Sequence, residues 1–273
     1  MGPIGVFDSG YGGLTVLRSI VDRLPQYDYL YLGDNARNPY GSRSFDVIYH
    51  YTKQAVDYLF SQGCELIVLA CNTASAKALR TIQQNDLERW GDHKRVLGVI
   101  RPSVEHLIHS SQSGVIGILG TEGTVKSDSY PLEIAKFSLQ RKMEVWQHAC
   151  PMWVPLIEDN SFDTEGAHYF ISKDIDILLS KSKDIDTILL GCTHYPLVKN
   201  IIEKYVPNGV EVLSQGDLVA QSLEDYLRRH SDLDALCLKK GNVRFLTTES
   251  TLLFDERATQ FYGSKVHSKQ IDL

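Results

Sequence analysis

The chain has 273 residues, enough for one large domain or two domains of ordinary size. Its 43% hydrophobic and 23% charged residues are typical of a globular protein, and a net charge of −6 argues against broad binding to nucleic acid or anionic membranes. The start of the sequence carries no basic stretch and no long apolar run, so we expect no signal peptide. The apolar runs are too short for a membrane span.

Five cysteines are spread along the chain at wide spacing. This odd number favours reduced thiols in a cytoplasm over a disulfide framework. No CxxC or HExxH pair occurs, so we expect no dedicated metal site. A nucleotide site is not expected either, because no Walker motif occurs and Thr15 replaces the third glycine of a GxGxxG pattern.

Short apolar runs alternate with longer helical stretches in the first third of the chain. This alternation predicts an α/β fold with a mostly parallel sheet. The predicted strands are 4–7, 27–32 and 66–70, and the predicted helices are 12–24, 45–62 and 73–85.

The same plan returns after residue 113, so we expect two similar α/β halves. Cys71 and Cys192, each at the end of the third strand of its half, are 121 residues apart. A tail with strands and helices follows, and we expect it to pack back on the first half. The predicted strands of this part are 114–119, 144–148, 187–190, 210–213 and 243–246, and its principal helices are 162–180, 218–229 and 251–262.

Polar motifs follow the predicted strands, where ligands of parallel α/β sheets collect. There are five such motifs, one of which is Gly120-Thr121 with Thr124. The other four are Asp8-Ser9-Gly10, the block 34–41 (Asp-Asn-Ala-Arg-Asn-Pro-Tyr-Gly), Cys71-Asn72-Thr73 and Cys192-Thr193-His194.

Cys71 and Cys192 each precede a predicted helix, whose N-terminal amides favour a thiolate. A free thiol has a pKa of about 8.5, so a modest downward shift would make it a base near neutrality. A lone buried cysteine is more often a small hydrophobic residue, but two at corresponding strand ends favour a functional pair. Such a pair suits two-base racemisation, which needs one group on each face of a planar carbanion.

Plainer interpretations remain for several of these residues. Taken alone, His194 is equally consistent with a buried histidine of the core, and it is selected only because Cys192 lies two residues before it. Asp8 is also a suitable helix N-cap. Arg37 and Tyr40 suit a turn at residues 39–41. The other three cysteines have no such polar context, and we interpret them as structural: Cys64, Cys150 and Cys237.

Together these blocks resemble the signature blocks of the glutamate racemase family. The resemblance extends from the first strand to about Val198, and the set is far more specific than any one block. The blocks are 7–14, 33–41, 70–75 and 191–197, with Gly120-Thr121, Thr124-Val125 and 154–158 in the same order.

The resemblance implies two similar Rossmann-like (flavodoxin-like) domains with mostly parallel sheets, related by a pseudo-twofold axis, with the active site between them. The first domain would be discontinuous, comprising 1–98 plus 209–273, and the second would be 99–208. The family further implies a homodimer and catalysis without pyridoxal phosphate, metal or nucleotide. Its product, D-glutamate, is used to build bacterial peptidoglycan.

The resemblance also implies residue roles. Cys71 and Cys192 would be proton donor and acceptor, assisted by Asp8 and His194, with Glu158 supporting the side of Cys192. The substrate glutamate would be held by Asp8, Ser9, Tyr40, Gly41, Asn72, Thr73, Thr121, Thr193 and His194.

Three positions depart from the family pattern, and we expect them to affect domain packing and dimer contacts rather than chemistry. Asn38 stands where an apolar residue is usual. Ser103-Val104 replaces smaller residues, and Ser214-Gln215-Gly216 replaces a loop with an acidic start.

Three other functions compete with this interpretation. Aspartate racemase resembles the family in fold and paired cysteines, but Cys192-Thr193-His194 and Pro39-Tyr40-Gly41 favour glutamate. A hydrolase with a Cys192–His194 dyad would leave Cys71 without a role. An amino-acid-binding protein with an inactive site is the alternative outside enzymes, and an activity assay separates it.

Overall fold

Two parallel β-sheets organise the chain in this computed structural model, which describes residues 1–138 and 141–273. The strands are β1 (Ile4–Asp8), β2 (Tyr29–Gly33), β3 (Leu66–Leu69), β4 (Arg95–Gly98), β5 (Val115–Gly120), β6 (Glu144–Ala149), β7 (Thr187–Gly191), β8 (Glu211–Leu213), β9 (Val243–Thr247) and β10 (Ser268–Gln270). Eight of the ten strands in the described residues lie close to the ranges predicted from the apolar runs, whereas β4 and β10 were not predicted.

Helices connect the strands and cover the sheets. Short 3₁₀ turns occur at Asn35–Arg37, Leu87–Trp90 and Tyr195–Val198. The α-helices are α1 (Gly13–Arg23), α2 (Phe45–Ser61), α3 (Asn72–Lys77), α4 (Leu79–Asn85), α5 (Ile100–Ser110), α6 (Glu122–Lys126), α7 (Ser129–Phe137), α8 (Trp153–Glu158), α9 (Glu165–Leu179), α10 (Lys199–Tyr205), α11 (Gly216–Arg229), α12 (Ser231–Leu236) and α13 (Thr251–Tyr262).

The two sheets share one topology. The first has the order β10-β9-β2-β1-β3-β4 and the second β6-β5-β7-β8, and the paired strands of the described chain are parallel. Without β9 and β10, the first sheet has the order β2-β1-β3-β4, which corresponds strand for strand to β6-β5-β7-β8. Flavodoxin-like sheets have this strand order. The α/β fold class with two mostly parallel sheets is therefore confirmed. In this order the connections reverse direction between β1 and β3, and between β5 and β7, which is where such sheets bind ligands.

The central strands are buried on both faces, as expected for parallel sheets covered by helices. Every residue of β1, β2, β3 and β7 is buried. Continuous apolar runs, such as Leu-Ile-Val-Leu in β3, are consistent with that environment. Rigid, buried strands of this kind give the polar residues at their ends fixed positions.

Two expectations about elements were wrong. The single helix predicted at 73–85 is two helices, because a turn at Ala78, where φ is −113°, interrupts the regular helix between α3 and α4. The tail does not pack on the first half alone, since β8 pairs with β7 in the second sheet whereas β9 pairs with β2. The division into domains at 98/99 and 208/209 stays a prediction. No helix among the described residues is long and apolar enough to cross a membrane.

Candidate functional site

The four central strands end in polar residues that meet between the two sheets. Asp8 ends β1, Cys71 follows β3, Thr121 follows β5 and Cys192 follows β7. These are the positions at which both sheets reverse their connections. Side-chain contacts join the two groups, so the polar motifs of the two halves form one site.

Cys71 is the N-cap of α3 and is buried, with 6% of its surface exposed. Its sulfur accepts a hydrogen bond from the Ala74 amide at 3.4 Å and lies 3.5 Å from the Ser9 hydroxyl oxygen. Burial, followed by the charge of Asp8, nevertheless raises the pKa of the Cys71 thiol to about 12. The expectation of a lowered pKa is therefore wrong for Cys71 in this conformation. Loss of solvation outweighs two weak sulfur hydrogen bonds and the amides of a six-residue helix.

The raised pKa of Cys71 leads to a prediction about thiol reactivity. The rate of alkylation of Cys71 by iodoacetamide should keep rising about 10-fold per pH unit from pH 7 to pH 10, because only the thiolate reacts. Mass spectrometry of Cys71-containing peptides after brief labelling measures this rate. A plateau near pH 9, as for a free thiol, would contradict the assignment.

Asp8 connects β1 to the end of β7. One carboxylate oxygen accepts a bond from the Gly10 amide at 2.8 Å, and the other accepts one from the Thr193 hydroxyl at 3.3 Å. Burial raises the pKa of the Asp8 carboxyl, and the neighbouring charge of His194 opposes the rise. Asp8 therefore lies at the junction of the two halves, and its assistance to the two cysteines stays a prediction.

Cys192 begins a chain of contacts on the other side. Its sulfur lies 3.8 Å from Nδ1 of His194, and Nε2 of His194 lies 2.8 Å from Oε1 of Glu158. Burial disfavours a charged His194, but its bonds to Cys192 and Glu158 outweigh burial and raise its pKa to about 10. Burial acts to raise the pKa of Glu158, but the bond and charge of His194, the bond from Asn38 and the charge of Arg257 together outweigh it, so this pKa is lowered. Near neutrality this arrangement places an imidazolium between a carboxylate and the Cys192 sulfur.

Thr73 and Thr121 join the two halves directly. Their hydroxyl oxygens are 2.9 Å apart, and that of Thr124 lies 3.1 Å from Thr121. The backbone at Gly41 packs against the same place, since a Cβ on Gly41 would lie 3.2 Å from Thr121. Tyr40 is buried beside it and donates its hydroxyl proton to Asp34. Predicted substrate residues from both halves of the chain therefore lie at the contact between the halves.

Sequence reasoning missed a buried network around Asn72. Tyr130 donates to the Asn72 carbonyl oxygen at 2.6 Å, and the Asn72 amide donates to Gln215 at 2.5 Å. The Gln215 amide donates in turn to Ser103 at 2.7 Å and to Tyr130 at 2.8 Å. All four side chains are buried. No local pattern reveals these partners, because Gln215 is 143 residues from Asn72.

This network predicts a measurable loss of stability. Gln215→Leu should lower the free energy of unfolding by about 1–3 kcal/mol, because it leaves the buried side-chain amide of Asn72 without an acceptor and removes a bond to Tyr130. Urea unfolding compared with that of wild type measures the change. The adjacent Ser214→Ala is a control, as the Ser214 hydroxyl has no hydrogen-bond partner among the described residues. Equal stability of the two variants would contradict the network.

One group of side chains has the donors of a metal site. His148, Cys150 and Asp174 place their ligand atoms within 4.8 Å of one another, which the sequence motifs did not predict. A divalent ion such as Zn²⁺ accepts these donor types. Asp174 bonds His148 at 2.9 Å, and the Cys150 thiol donates to the His148 carbonyl at 3.9 Å, so the group also satisfies its own hydrogen-bonding needs. Tyr195 lies next to this group, since its hydroxyl donates to the Cys150 carbonyl.

Comparison with known proteins places the chain in a family. Residues 4–223 match the family model described as Asp/Glu/Hydantoin racemase. The chain belongs to this family. The resemblance inferred from the sequence blocks is thereby confirmed, and the chain is an isomerase of the racemase class.

Curated relatives and solved structures agree with that membership. Glutamate racemase from Persephonella marina is 36% identical over 99% of this chain and 97% of its own, and the enzyme from Listeria monocytogenes is 39% identical over 93% and 92%. The crystal structure of the glutamate racemase isoform RacE1 from Bacillus anthracis covers 100% of this chain and 98% of its own, with a TM-score of 0.89 and 32% identity. A Francisella tularensis glutamate racemase in complex with D-glutamate covers 99% and 97%, with a TM-score of 0.85 and 29% identity.

Proposed function

We propose that this racemase interconverts L- and D-glutamate without a cofactor, using Cys71 and Cys192 as its two proton-transfer groups. The observation that carries the proposal is the equivalent position of the two cysteines. Each follows the third strand of a sheet with the same strand order, and each is held by polar neighbours between the two sheets. Two bases on opposite faces of one substrate are what racemisation through a planar carbanion requires.

Glutamate is favoured over aspartate by the relatives. Several curated relatives at 36–40% identity are named glutamate racemase, and one solved neighbour contains D-glutamate. The aspartate racemase homologue from Pyrococcus horikoshii is 18% identical and the allantoin racemase from Klebsiella pneumoniae 15%, so these two share only the fold. The close packing of Thr73, Thr121 and Thr193 around the site supplies hydroxyl donors for substrate carboxylates.

The chemistry is a pair of proton transfers. One thiolate takes the proton from Cα, and the electron pair left on Cα delocalises into the α-carboxylate. The opposite thiol then delivers its proton to the other face of Cα. The two sulfurs end with exchanged protonation states, and exchange of their protons with solvent restores the starting form for another turnover in the same direction. Hydrogen-bond donors around the developing charge lower the barrier further.

The raised pKa of Cys71 fits this sequence once substrate charge is considered. The charge of Asp8 is the second cause of that rise, after burial. A substrate ammonium group bound beside Asp8 would offset this charge and lower the pKa of the thiol. On the other side the His194 imidazolium, fixed by Glu158, stabilises negative charge on Cys192.

The test is incubation of the purified protein with L-glutamate, D-glutamate or L-aspartate, with no added cofactor, followed by chiral chromatography. We expect equal final amounts of the two glutamate enantiomers and no turnover of aspartate. Loss of activity after treatment with a chelator, or activity only with pyridoxal phosphate, would contradict the cofactor-independent mechanism. Turnover of aspartate alone would contradict the substrate assignment.

The role of the product follows from the proposed substrate. D-Glutamate made here would supply peptidoglycan synthesis, and the enzyme would act as a homodimer in the cytoplasm. A reducing compartment is supported by the five cysteines, which are all free and buried.

A further inference from the structure

Asn38 crosses from the first half of the chain to a helix of the second. It follows the turn Asn35–Arg37 after β2, and its side-chain amide donates to Oε1 of Glu158 at 3.1 Å. The second carboxylate oxygen of Glu158 is 3.5 Å from the same nitrogen. The two residues are 120 positions apart in the sequence. Asn38 therefore contacts the functional site, contrary to the expectation that this position affects packing alone.

Glu158 in turn contacts His194. The oxygen that accepts from Asn38 also accepts from Nε2 of His194, at 2.8 Å, and the other nitrogen of His194 faces the Cys192 sulfur at 3.8 Å. Arg257 is the other cation that acts on Glu158, and the bond from Asn38 contributes to the lowered pKa of this carboxyl. The contacts therefore run in one line from Asn38 to Cys192.

We propose that Asn38 is a positioning residue for the Cys192 side of the reaction, acting through Glu158 and His194. The inference rests on the proposed two-cysteine function. A carboxamide nitrogen can only donate, so next to Glu158 it stabilises the ionised carboxylate and holds one of its oxygens toward His194. A fixed carboxylate keeps the imidazole ring in the orientation that points Nδ1 at the sulfur.

Close packing limits where the Asn38 amide can go. A Cβ placed on Gly10 would lie 3.3 Å from the Asn38 side-chain nitrogen, so this amide lies directly over the loop that follows β1. The opposite amide orientation would direct its carbonyl oxygen at the carboxylate and would be repulsive. Asn38 thus fixes the position of the Glu158 carboxylate that bonds His194.

The experiment measures each proton abstraction separately. Racemisation has an equilibrium constant of 1, so the two directions must keep equal kcat/KM in every variant. Glutamate carrying a hydroxyl on its amino nitrogen avoids this constraint. Abstraction of the α-proton breaks the N–O bond, water leaves and an imine forms, which hydrolyses to the 2-oxo acid and ammonia. The rate of formation of the oxo acid from each enantiomer reports one cysteine.

Asn38→Leu should slow elimination from one enantiomer about 10-fold and leave the other within twofold. The size corresponds to loss of one hydrogen bond to a charged group. The affected enantiomer should be the one that Cys192→Ser no longer processes, whichever enantiomer that is. Asn38→Gln, which keeps a donating amide, should restore at least part of the rate. Asn38→Asp should be slower than Asn38→Leu, because it places a second carboxylate against Glu158. Asn85→Leu, on the exposed side of α4, is the matched control and should match wild type.

The possible outcomes separate failure of the role proposed for Asn38 from failure of the two-cysteine function. Equal slowing of both enantiomers by Asn38→Leu, or slowing of the enantiomer served by Cys71, would overturn the role of Asn38. Loss of activity with no rescue by Asn38→Gln, together with a lowered melting temperature, would assign Asn38 a structural role instead. If wild type eliminates from neither enantiomer, the proposed two-cysteine function fails, not merely this extension of it.

Discussion

Replacing either Cys71 or Cys192 with serine is expected to reduce glutamate racemisation at least 10³-fold. In the proposed mechanism each cycle needs both groups, since one sulfur removes a proton and the other returns one on the opposite face. A serine hydroxyl keeps the approximate shape of the side chain but is far less acidic than a thiol. Loss of one positioned base typically removes a 10²–10⁴-fold acceleration, and here the second transfer cannot substitute for it.

The single variants should still carry out the elimination that needs only one abstraction. The family resemblance implies that Cys71 would take the proton of D-glutamate and Cys192 that of L-glutamate. Cys71→Ser should therefore process mainly the L-form of the N-hydroxy analogue, and Cys192→Ser mainly the D-form. Cys237→Ser, whose thiol donates to the Leu233 carbonyl of α12, is the control and should keep activity within about twofold. The reverse preference would refute only the facial assignment, whereas full racemisation by either variant would refute two-base catalysis.

A second large effect is expected from a single methyl group at Gly12. A Cβ at this position would overlap the Thr193 hydroxyl oxygen and Nδ1 of His194, at separations that real atoms do not adopt. Gly12→Ala must displace the segment that carries Cys192, or the loop between β1 and α1. We expect at least a 100-fold fall in kcat, because displacements of about 1 Å cost this much in positioned sites.

Stability should also fall, by about 1–3 kcal/mol, since the substitution overpacks a buried region. Gly166→Ala is the matched control. Gly166 lies in α9, and a methyl group added there would have no described neighbouring atom within 4 Å, so alanine should leave kcat unchanged and stabilise the helix by about 0.5–1 kcal/mol. Steady-state kinetics and thermal unfolding of the two variants test the pair. Wild-type activity in Gly12→Ala would show that the two halves do not pack this closely in solution.

The family and the fold class were predictable because their signals are local. Continuous apolar runs such as Leu66–Leu69 predict strands buried on both faces, and the polar blocks after them predict what lies at the strand ends. Cys71 and Cys192 could be selected from five cysteines because each follows a predicted strand and is followed by polar donors. These conclusions require only spacing and residue type within a few positions of each other. The predicted helix begins directly after Cys71, whereas a turn and the 3₁₀ segment Tyr195–Val198 follow Cys192.

Only the tertiary structure shows which side chains of the site contact one another and how far burial shifts their pKa values. Asn38 bonds Glu158 and Gln215 bonds Asn72 across more than 100 residues of sequence, because the segments that follow the strands of the two sheets meet in space. The same packing removes solvent from Cys71, so its pKa rises although a helix begins there. Desolvation adds contributions from every atom packed around a group, and those atoms come from distant segments. By itself the sequence determined the family and most of the strands and suggested the cysteine pair, while tertiary packing determined the hydrogen-bond partners and charge states of the site.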